Sequence, residues 1–138
     1  DGWRLLDWFN PASRCRDQAL ALRYQLEPYY LAADIYSASG AAGRGGWSMY
    51  TGASSWYYRT VVERLLGIRR MGGTVTFSPC IPPSWKGCSF ELNLEGTAIH
   101  FTARWGDHQG MSVNGLPADA VTLDGTPKDV EYTLEKSS

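Results

Sequence analysis

The hydrophobic pattern of this 138-residue chain changes its period near Gly72 and Gly73. Before this point apolar residues recur at helical spacing, and after it they alternate with polar residues as in half-buried strands. The two periods place side chains on different geometric faces, so one element type cannot serve both segments. The sequence therefore predicts an α+β protein, with a helical segment over residues 1–71 and a small antiparallel β-sandwich over residues 72–138.

Three helices are predicted in the first segment. Residues 14–25 are rich in strong helix formers, and residues 29–36 follow a proline that suits the first position of a helix. The third helix begins at Thr51, an N-capping residue type, and ends at Gly67. Residues 37–47, which contain four glycines, are predicted to be coil with an accessible backbone.

The second segment consists of short alternating runs separated by turn residues. The apolar positions of these runs are Val75 and Phe77; Phe90, Leu92 and Leu94; Ile99, Phe101 and Ala103; Val121 and Leu123; and Val130, Tyr132 and Leu134. The pairs at 95–96 and 124–125 each end in glycine and predict hairpin turns. Three prolines between residues 79 and 83 predict a rigid elbow.

Charge and cysteine content narrow the classes of function. The net charge of −1 gives no electrostatic footprint for nucleic acid, so we expect no nucleic-acid partner. Three cysteines without regular spacing favour a reducing, cytoplasmic setting, and no apolar run reaches the roughly 18 residues that span a bilayer. The chain opens directly on an apolar cluster over residues 3–9, which we expect to belong to a piece of a longer polypeptide.

Residues 43–56 form a glycine-rich loop that leads straight into a predicted helix. The first turn of a helix presents unpaired N–H groups and the positive end of the helix dipole, so it can hold an anion. Gly52 would let that anion approach the backbone, and the Thr51 hydroxyl would add a donor. Arg44 and Trp47 are further candidates for contact with phosphate or sugar. The alternative is that Thr51 only caps the helix and the glycines only turn the chain.

Several short motifs occur in one order along the chain: EPYYLAADIYS, GRGGWSMYTGASSWYYR, LLGIRR and FSPCIPPSW. In this order they resemble the C-terminal part of glycoside hydrolase family 94, the cellobiose phosphorylase and cyclic β-1,2-glucan synthase family. The resemblance covers roughly residues 10–90 and implies the last helices of an (α/α)6 barrel followed by a small β domain. It is closest to the glucan synthase branch.

The resemblance also implies a reaction. Members of this family cleave β-glucosidic bonds with inorganic phosphate and invert the anomeric centre, with phosphate as co-substrate and no other cofactor. The family's phosphate-binding Thr-Gly pair corresponds to Thr51 and Gly52. The general acid has no matching position, so we expect it in an upstream remainder of the same polypeptide and expect the isolated chain to be inactive.

The resemblance implies β-glucan oligosaccharide and phosphate as ligands, and it leaves a homodimer open. The parent is either a cytoplasmic phosphorylase or the cytoplasmic portion of an inner-membrane glucan synthase. A competing hypothesis is a non-catalytic carbohydrate-binding or structural β module, for which Trp85 and Trp105 would supply aromatic surface. His100 and His108 lack partners at metal-ligand spacing, so no metal is predicted.

Overall fold

The computed structural model describes residues 2–48 and 51–136, and at residue 51 it describes the backbone only. The described chain divides into two compact units, residues 1–61 and residues 62–138. The predicted boundary after residue 71 lies in the turn that joins the first two strands of the second unit.

The first unit is mainly helical. Its elements in chain order are α1 (Gly2–Phe9), α2 (Pro11–Arg14), α3 (Gln18–Tyr24), β1 (Asp34–Ile35), β2 (Gly45–Gly46) and α4 (Thr51–Arg59). A π-helical segment, Thr60–Leu65, continues α4 across the boundary between the units.

The predicted helix over residues 14–25 is interrupted between α2 and α3. The Asn10 side chain accepts a hydrogen bond from the Ala12 N–H (3.1 Å), and the Asp17 side chain accepts one from the Leu20 N–H (2.9 Å). Each short helix therefore has its own N-cap. Because an N-cap residue takes an extended backbone, Asp17 ends the first helical run and starts a second one.

The predicted helix over residues 29–36 is wrong. Asp34 and Ile35 instead form β1, which pairs antiparallel with Gly46 and Gly45 of β2. This pairing satisfies the backbone groups of the segment without a helix. Helix propensity is a weak preference that such long-range pairing overrides.

The second unit is a β-sandwich. Its strands are β3 (Ile68–Met71), β4 (Thr74–Phe77), β5 (Gly87–Leu94), β6 (Thr97–Gly106), β7 (Gly110–Val113), β8 (Leu116–Pro117), β9 (Val121–Thr122) and β10 (Lys128–Glu135). One sheet has the order β5-β6-β10-β7-β8 and the other has the order β3-β4-β9. The pairs are antiparallel except for β6 and β10, which run parallel.

Aromatic side chains join the two sheets. The Phe77 ring on β4 stacks on the Phe101 ring on β6 with 4.7 Å between the ring centroids. The Phe90 ring on β5 also stacks on Phe101, with 4.6 Å between the centroids. Phe101 is completely buried. The α+β class predicted from the change of period is confirmed, and the predicted alternating runs coincide with β4, β5, β6, β9 and β10.

Of the two predicted hairpin turns, at 95–96 and 124–125, the structure confirms the first and contradicts the second. Glu95 and Gly96 both have positive φ angles and join β5 to β6 as a two-residue hairpin turn, as predicted. Gly125 also has a positive φ angle, but β9 and β10 lie in different sheets. The predicted hairpin at 124–125 is therefore wrong, because this turn carries the chain from one sheet to the other.

No helix in the described part of the chain is long and apolar enough to cross a membrane.

Candidate phosphate site

The glycine-rich segment of the first unit contains a short strand, Gly45–Gly46, after a turn over residues 39–43. Beside the β1–β2 pairs, the Ala33 N–H donates to the Trp47 carbonyl (3.0 Å) and the Tyr36 N–H donates to the Arg44 carbonyl (2.9 Å). The Gly43 N–H returns a hydrogen bond to the Tyr36 carbonyl (2.8 Å). These bonds fix the chain immediately before the predicted phosphate site.

Close packing explains why glycine occupies two of these positions. A Cβ atom at Gly45 would lie 2.6 Å from Cδ1 of Leu26, and one at Gly46 would lie 2.7 Å from the Tyr36 hydroxyl oxygen. Both glycines are buried. The prediction of an accessible coil is wrong at these two residues, because side chains from neighbouring segments pack directly against their backbone.

Tyr24 holds the segment that leads into this hairpin. Its side chain is fully buried, its hydroxyl donates to the Tyr30 carbonyl (2.9 Å), and the Ala32 N–H donates to the same hydroxyl (3.2 Å). Burial raises the pKa of Tyr24 above its ordinary value. The neutral phenol is thus fixed as a bridge between α3 and the strand that pairs with the glycine-rich segment.

The predicted contact residues flank β2. Arg44 directly precedes the strand, is exposed, and donates its backbone N–H to the Ala41 carbonyl (3.0 Å). Trp47 directly follows the strand with a positive φ of 40° and is 69% exposed. The hairpin therefore presents both side chains at the ends of one short strand, and their roles at a ligand stay predictions.

Helix α4 begins at Thr51, as predicted. The Thr51 side chain, together with Met49 and Tyr50, lies outside the described residues, so its predicted hydroxyl contact stays a prediction. Gly52 is exposed, and a Cβ atom at this position would meet no heavy atom within 4 Å. Apart from its chain neighbours and the helix backbone, no described atom of the chain therefore fills the space beside Gly52.

An apolar groove of about 470 Å³ lies between α1 and α4. Leu5 and Phe9 line it from α1, and Trp56 and Tyr57 line it from α4. Leu5 is 64% exposed and Trp56 is 73% exposed. Burial raises the pKa of Tyr57, and the negative charge of Asp7 raises it further.

This groove was not identified as a site from the sequence. The first nine residues indicated a buried cluster, whereas Leu5 and Trp8 are largely exposed in the described chain. The run of large apolar residues at helical spacing was the available signal, because such a stripe requires a partner surface.

The remaining candidate residues do not gather into a second centre. The two acidic residues of the EPYYLAADIYS motif, Glu27 and Asp34, are both exposed, and Asp34 is a residue of β1. His100 on β6 lies 3.6 Å from Asp129 on β10, measured from Nδ1 to Oδ1. Among the residues that the structure describes, no group of three His, Cys, Asp or Glu side chains is placed to bind a metal ion.

Comparison with known proteins identifies what the chain is similar to. Residues 68–125 match the sequence family described as glycosyl hydrolase family 65, C-terminal domain. The chain is 44% identical over 97 residues to the cyclic beta-(1,2)-glucan synthase NdvB of Rhizobium meliloti. It is 28% identical over 97 residues to the N,N'-diacetylchitobiose phosphorylase of Vibrio furnissii and 33% identical over 94 residues to the cellobionic acid phosphorylase of Neurospora crassa. The predicted family resemblance is confirmed.

These similarities cover most of this chain and little of the relatives. The matches include 70%, 67% and 65% of the chain, in the same order. They include 3% of the glucan synthase, 12% of the chitobiose phosphorylase and 11% of the cellobionic acid phosphorylase. The chain thus spans a small fraction of the length of the curated relatives that it matches.

The geometry of the first unit determines what this chain can contribute chemically. A helix N-terminus offers backbone N–H donors and a positive dipole end to an anion, and Gly52 has no side chain that would hinder the approach. The hydrogen bonds of the β1–β2 hairpin hold residues 33–47, which precede that helix in the chain. Such an arrangement can hold an anion, whereas proton transfer to a leaving group needs an acid for which the sequence supplies no match.

Proposed function

We propose that this chain is part of an inverting glycoside phosphorylase or glucan synthase that acts on β-linked glucans, and that Thr51 and Gly52 form part of its phosphate site. The observation that carries the proposal is that, among the described residues, no atom outside the helix and the chain neighbours lies within 4 Å of a Cβ built at Gly52, on the first turn of α4. The order of the motifs around this turn and the similarity to glucan synthase and phosphorylases support it.

In the proposed reaction, a phosphate oxygen attacks the anomeric carbon as the glycosidic C–O bond breaks. A general acid, which we expect in the remainder of the polypeptide, gives its proton to the leaving oxygen. Attack from the opposite face inverts the anomeric centre, so a β-linked glucose unit yields α-glucose 1-phosphate. Phosphate is already a nucleophile and needs positioning more than activation.

The roles of this chain in that reaction are positional. The Thr51 hydroxyl and the Gly52 N–H would donate hydrogen bonds to phosphate oxygens, and the positive end of α4 would stabilise their charge. Arg44 and Trp47, at the two ends of β2, would contact phosphate or the sugar ring. Inorganic phosphate is the co-substrate, and the proposal includes no other cofactor.

The first unit fits the end of an (α/α) barrel that an upstream remainder of the polypeptide completes. The groove between α1 and α4 carries exposed apolar side chains, including Leu5 and Trp56, which a neighbouring helix would cover. The proposal places the enzyme in the cytoplasm, either by itself or as the cytoplasmic portion of an inner-membrane glucan synthase, and it leaves a homodimer open.

Product analysis of the full-length protein tests the reaction class. With a β-1,2-linked glucan oligosaccharide and inorganic phosphate, the proposal predicts α-glucose 1-phosphate and a shortened oligosaccharide. The ³¹P signal of the product distinguishes the α from the β anomer. Release of free glucose at the same rate with and without phosphate would show a hydrolase and overturn the proposal.

A further inference from the structure

Trp85 and Trp105 form an aromatic surface on the second unit, where Trp85 lies in the connection between β4 and β5. The Trp85 N–H donates to the Pro82 carbonyl (2.9 Å), and the Trp85 carbonyl accepts a hydrogen bond from the indole Nε1 of Trp105 (2.7 Å). Both backbone polar groups of Trp85 are therefore bonded. The backbone of this residue is therefore held in place although it lies outside a strand.

The two tryptophans border a groove of about 400 Å³. Its lining residues are Pro83, Ser84, Trp85, Lys86, Trp105 and Lys136. Trp85 remains 41% exposed, and both lysines are exposed. The Lys136 N–H donates to the Gly106 carbonyl (3.2 Å), which keeps the backbone of Lys136 beside the residue that follows Trp105.

The composition of this groove favours a saccharide over an apolar partner. An indole face stacks on the apolar face of a pyranose ring, and ammonium groups donate hydrogen bonds to hydroxyl oxygens. A purely apolar partner segment would remove the two ammonium groups from water without giving them acceptors, which is unfavourable. Among the described residues that line the groove, none carries a carboxylate that could neutralise them.

The ordered backbone at Trp85 also reduces the conformational entropy that is lost on binding. A side chain and loop that are already ordered lose little conformational freedom when a ligand arrives. The groove volume lies within the range of about 300–1,000 Å³ that small-ligand sites occupy.

We propose that this groove binds a glucose unit of a β-linked glucan, separately from the phosphate site of the first unit. The choice of glucan rests on the proposed function, while the binding itself requires no catalysis. A protein that fails to form glucose 1-phosphate can still bind glucan here, so the two proposals fail independently.

The test is an NMR titration of the ¹⁵N-labelled 138-residue protein with a β-1,2-linked glucan oligosaccharide. The six tryptophans give indole N–H signals, which single Trp→Phe variants assign. We expect the Trp85 and Trp105 signals to shift with a dissociation constant on the order of 1 mM, because one stacked ring and a few exposed hydrogen bonds give weak binding.

Two variants distinguish binding at the proposed site from nonspecific binding to exposed tryptophans. Trp85→Ala should weaken binding at least about tenfold, whereas Trp56→Ala, at an exposed tryptophan of the first unit, should leave it unchanged. If Trp85→Ala unfolds the protein, the double variant Lys86→Ala, Lys136→Ala keeps the aromatic ring and should also weaken binding. No shift at saturating oligosaccharide, shifts confined to other indoles, or shifts caused by inorganic phosphate alone would each overturn the proposal.

Discussion

Replacing Gly67 with alanine should destabilise the protein more than the same replacement at Gly72. Both glycines have positive φ angles, 65° and 58°, at which a residue with a Cβ atom costs about 1–2 kcal/mol. At Gly72 an added Cβ meets nothing within 4 Å, whereas at Gly67 it lies 2.8 Å from Cα of Ser78 and overlaps the carbonyl of that residue.

The magnitude follows from the contacts that must separate. Relief of this overlap would stretch the hydrogen bonds from the Ser78 N–H to the Gly67 carbonyl (3.0 Å) and from the Cys80 N–H to the Leu65 carbonyl (2.8 Å). Each bond contributes about 1 kcal/mol. We therefore expect Gly67→Ala to cost about 3–4 kcal/mol and Gly72→Ala about 1–2 kcal/mol.

Urea unfolding followed by tryptophan fluorescence measures both free energies of unfolding under the same conditions. The stiffening of the unfolded chain by alanine is similar at both sites and cancels in the difference. A difference below about 0.5 kcal/mol, the usual spread for surface substitutions, would refute the steric reasoning.

Three further outcomes follow from the structure and the proposed function. The isolated 138-residue chain should form no glucose 1-phosphate from a β-glucan, and measurable phosphorolysis would contradict the division of the site. Tyr24→Phe should cost about 1–3 kcal/mol in urea unfolding, because the Ala32 N–H and the Tyr30 carbonyl both lose their hydroxyl partner; an unchanged midpoint would contradict the bridging role. Hydrogen bonds from Lys128 and Thr126 lower the pKa of Asp124 from its ordinary value of 3.8, so its contribution to stability is present above that value and is lost as pH falls below it. Asp124→Asn should therefore flatten the loss of stability below about pH 4, and an unchanged pH dependence in this variant would contradict the assignment.

The strands could be predicted because their signal is local. Each of the predicted alternating runs puts apolar residues such as Val75, Ile99 and Val130 on the buried face of a sheet. The sequence analysis did not predict the short strands β7 and β8. The parallel pairing of β6 and β10 depends on contacts between distant segments and has no local signature.

The fold around the candidate site could be predicted only in part. The start of α4 at Thr51, and the end of the following π-helical segment at Leu65 just before Gly67, follow from capping chemistry. The β1–β2 hairpin does not, because its strands are two residues long and contain glycines that normally indicate loops. Its stability comes from the buried Tyr24 and from side chains packed on Gly45, and neither contact is visible in the sequence.

The exposed groove between α1 and α4 shows a different limit of prediction from sequence. Its apolar residues predict burial, and in the described chain several of them face free space. Sequence pattern identifies that a surface needs a partner, but it does not say whether the partner belongs to the same segment.

The central claim is that the first turn of α4 binds phosphate, and the kinetics of Thr51 variants in the full-length protein test it most directly. Thr51→Val keeps the shape of the side chain and removes the hydroxyl, while Thr51→Ser keeps the hydroxyl. A hydrogen bond to a charged ligand contributes about 1.5–3 kcal/mol, which corresponds to a loss of about tenfold to hundredfold.

The account predicts that Thr51→Val lowers kcat/KM for phosphate by that factor with a nearly unchanged thermal midpoint, and that Thr51→Ser retains most of the activity. An unchanged phosphate dependence together with a lowered midpoint in Thr51→Val would show that Thr51 is only a helix cap, and it would contradict the claim.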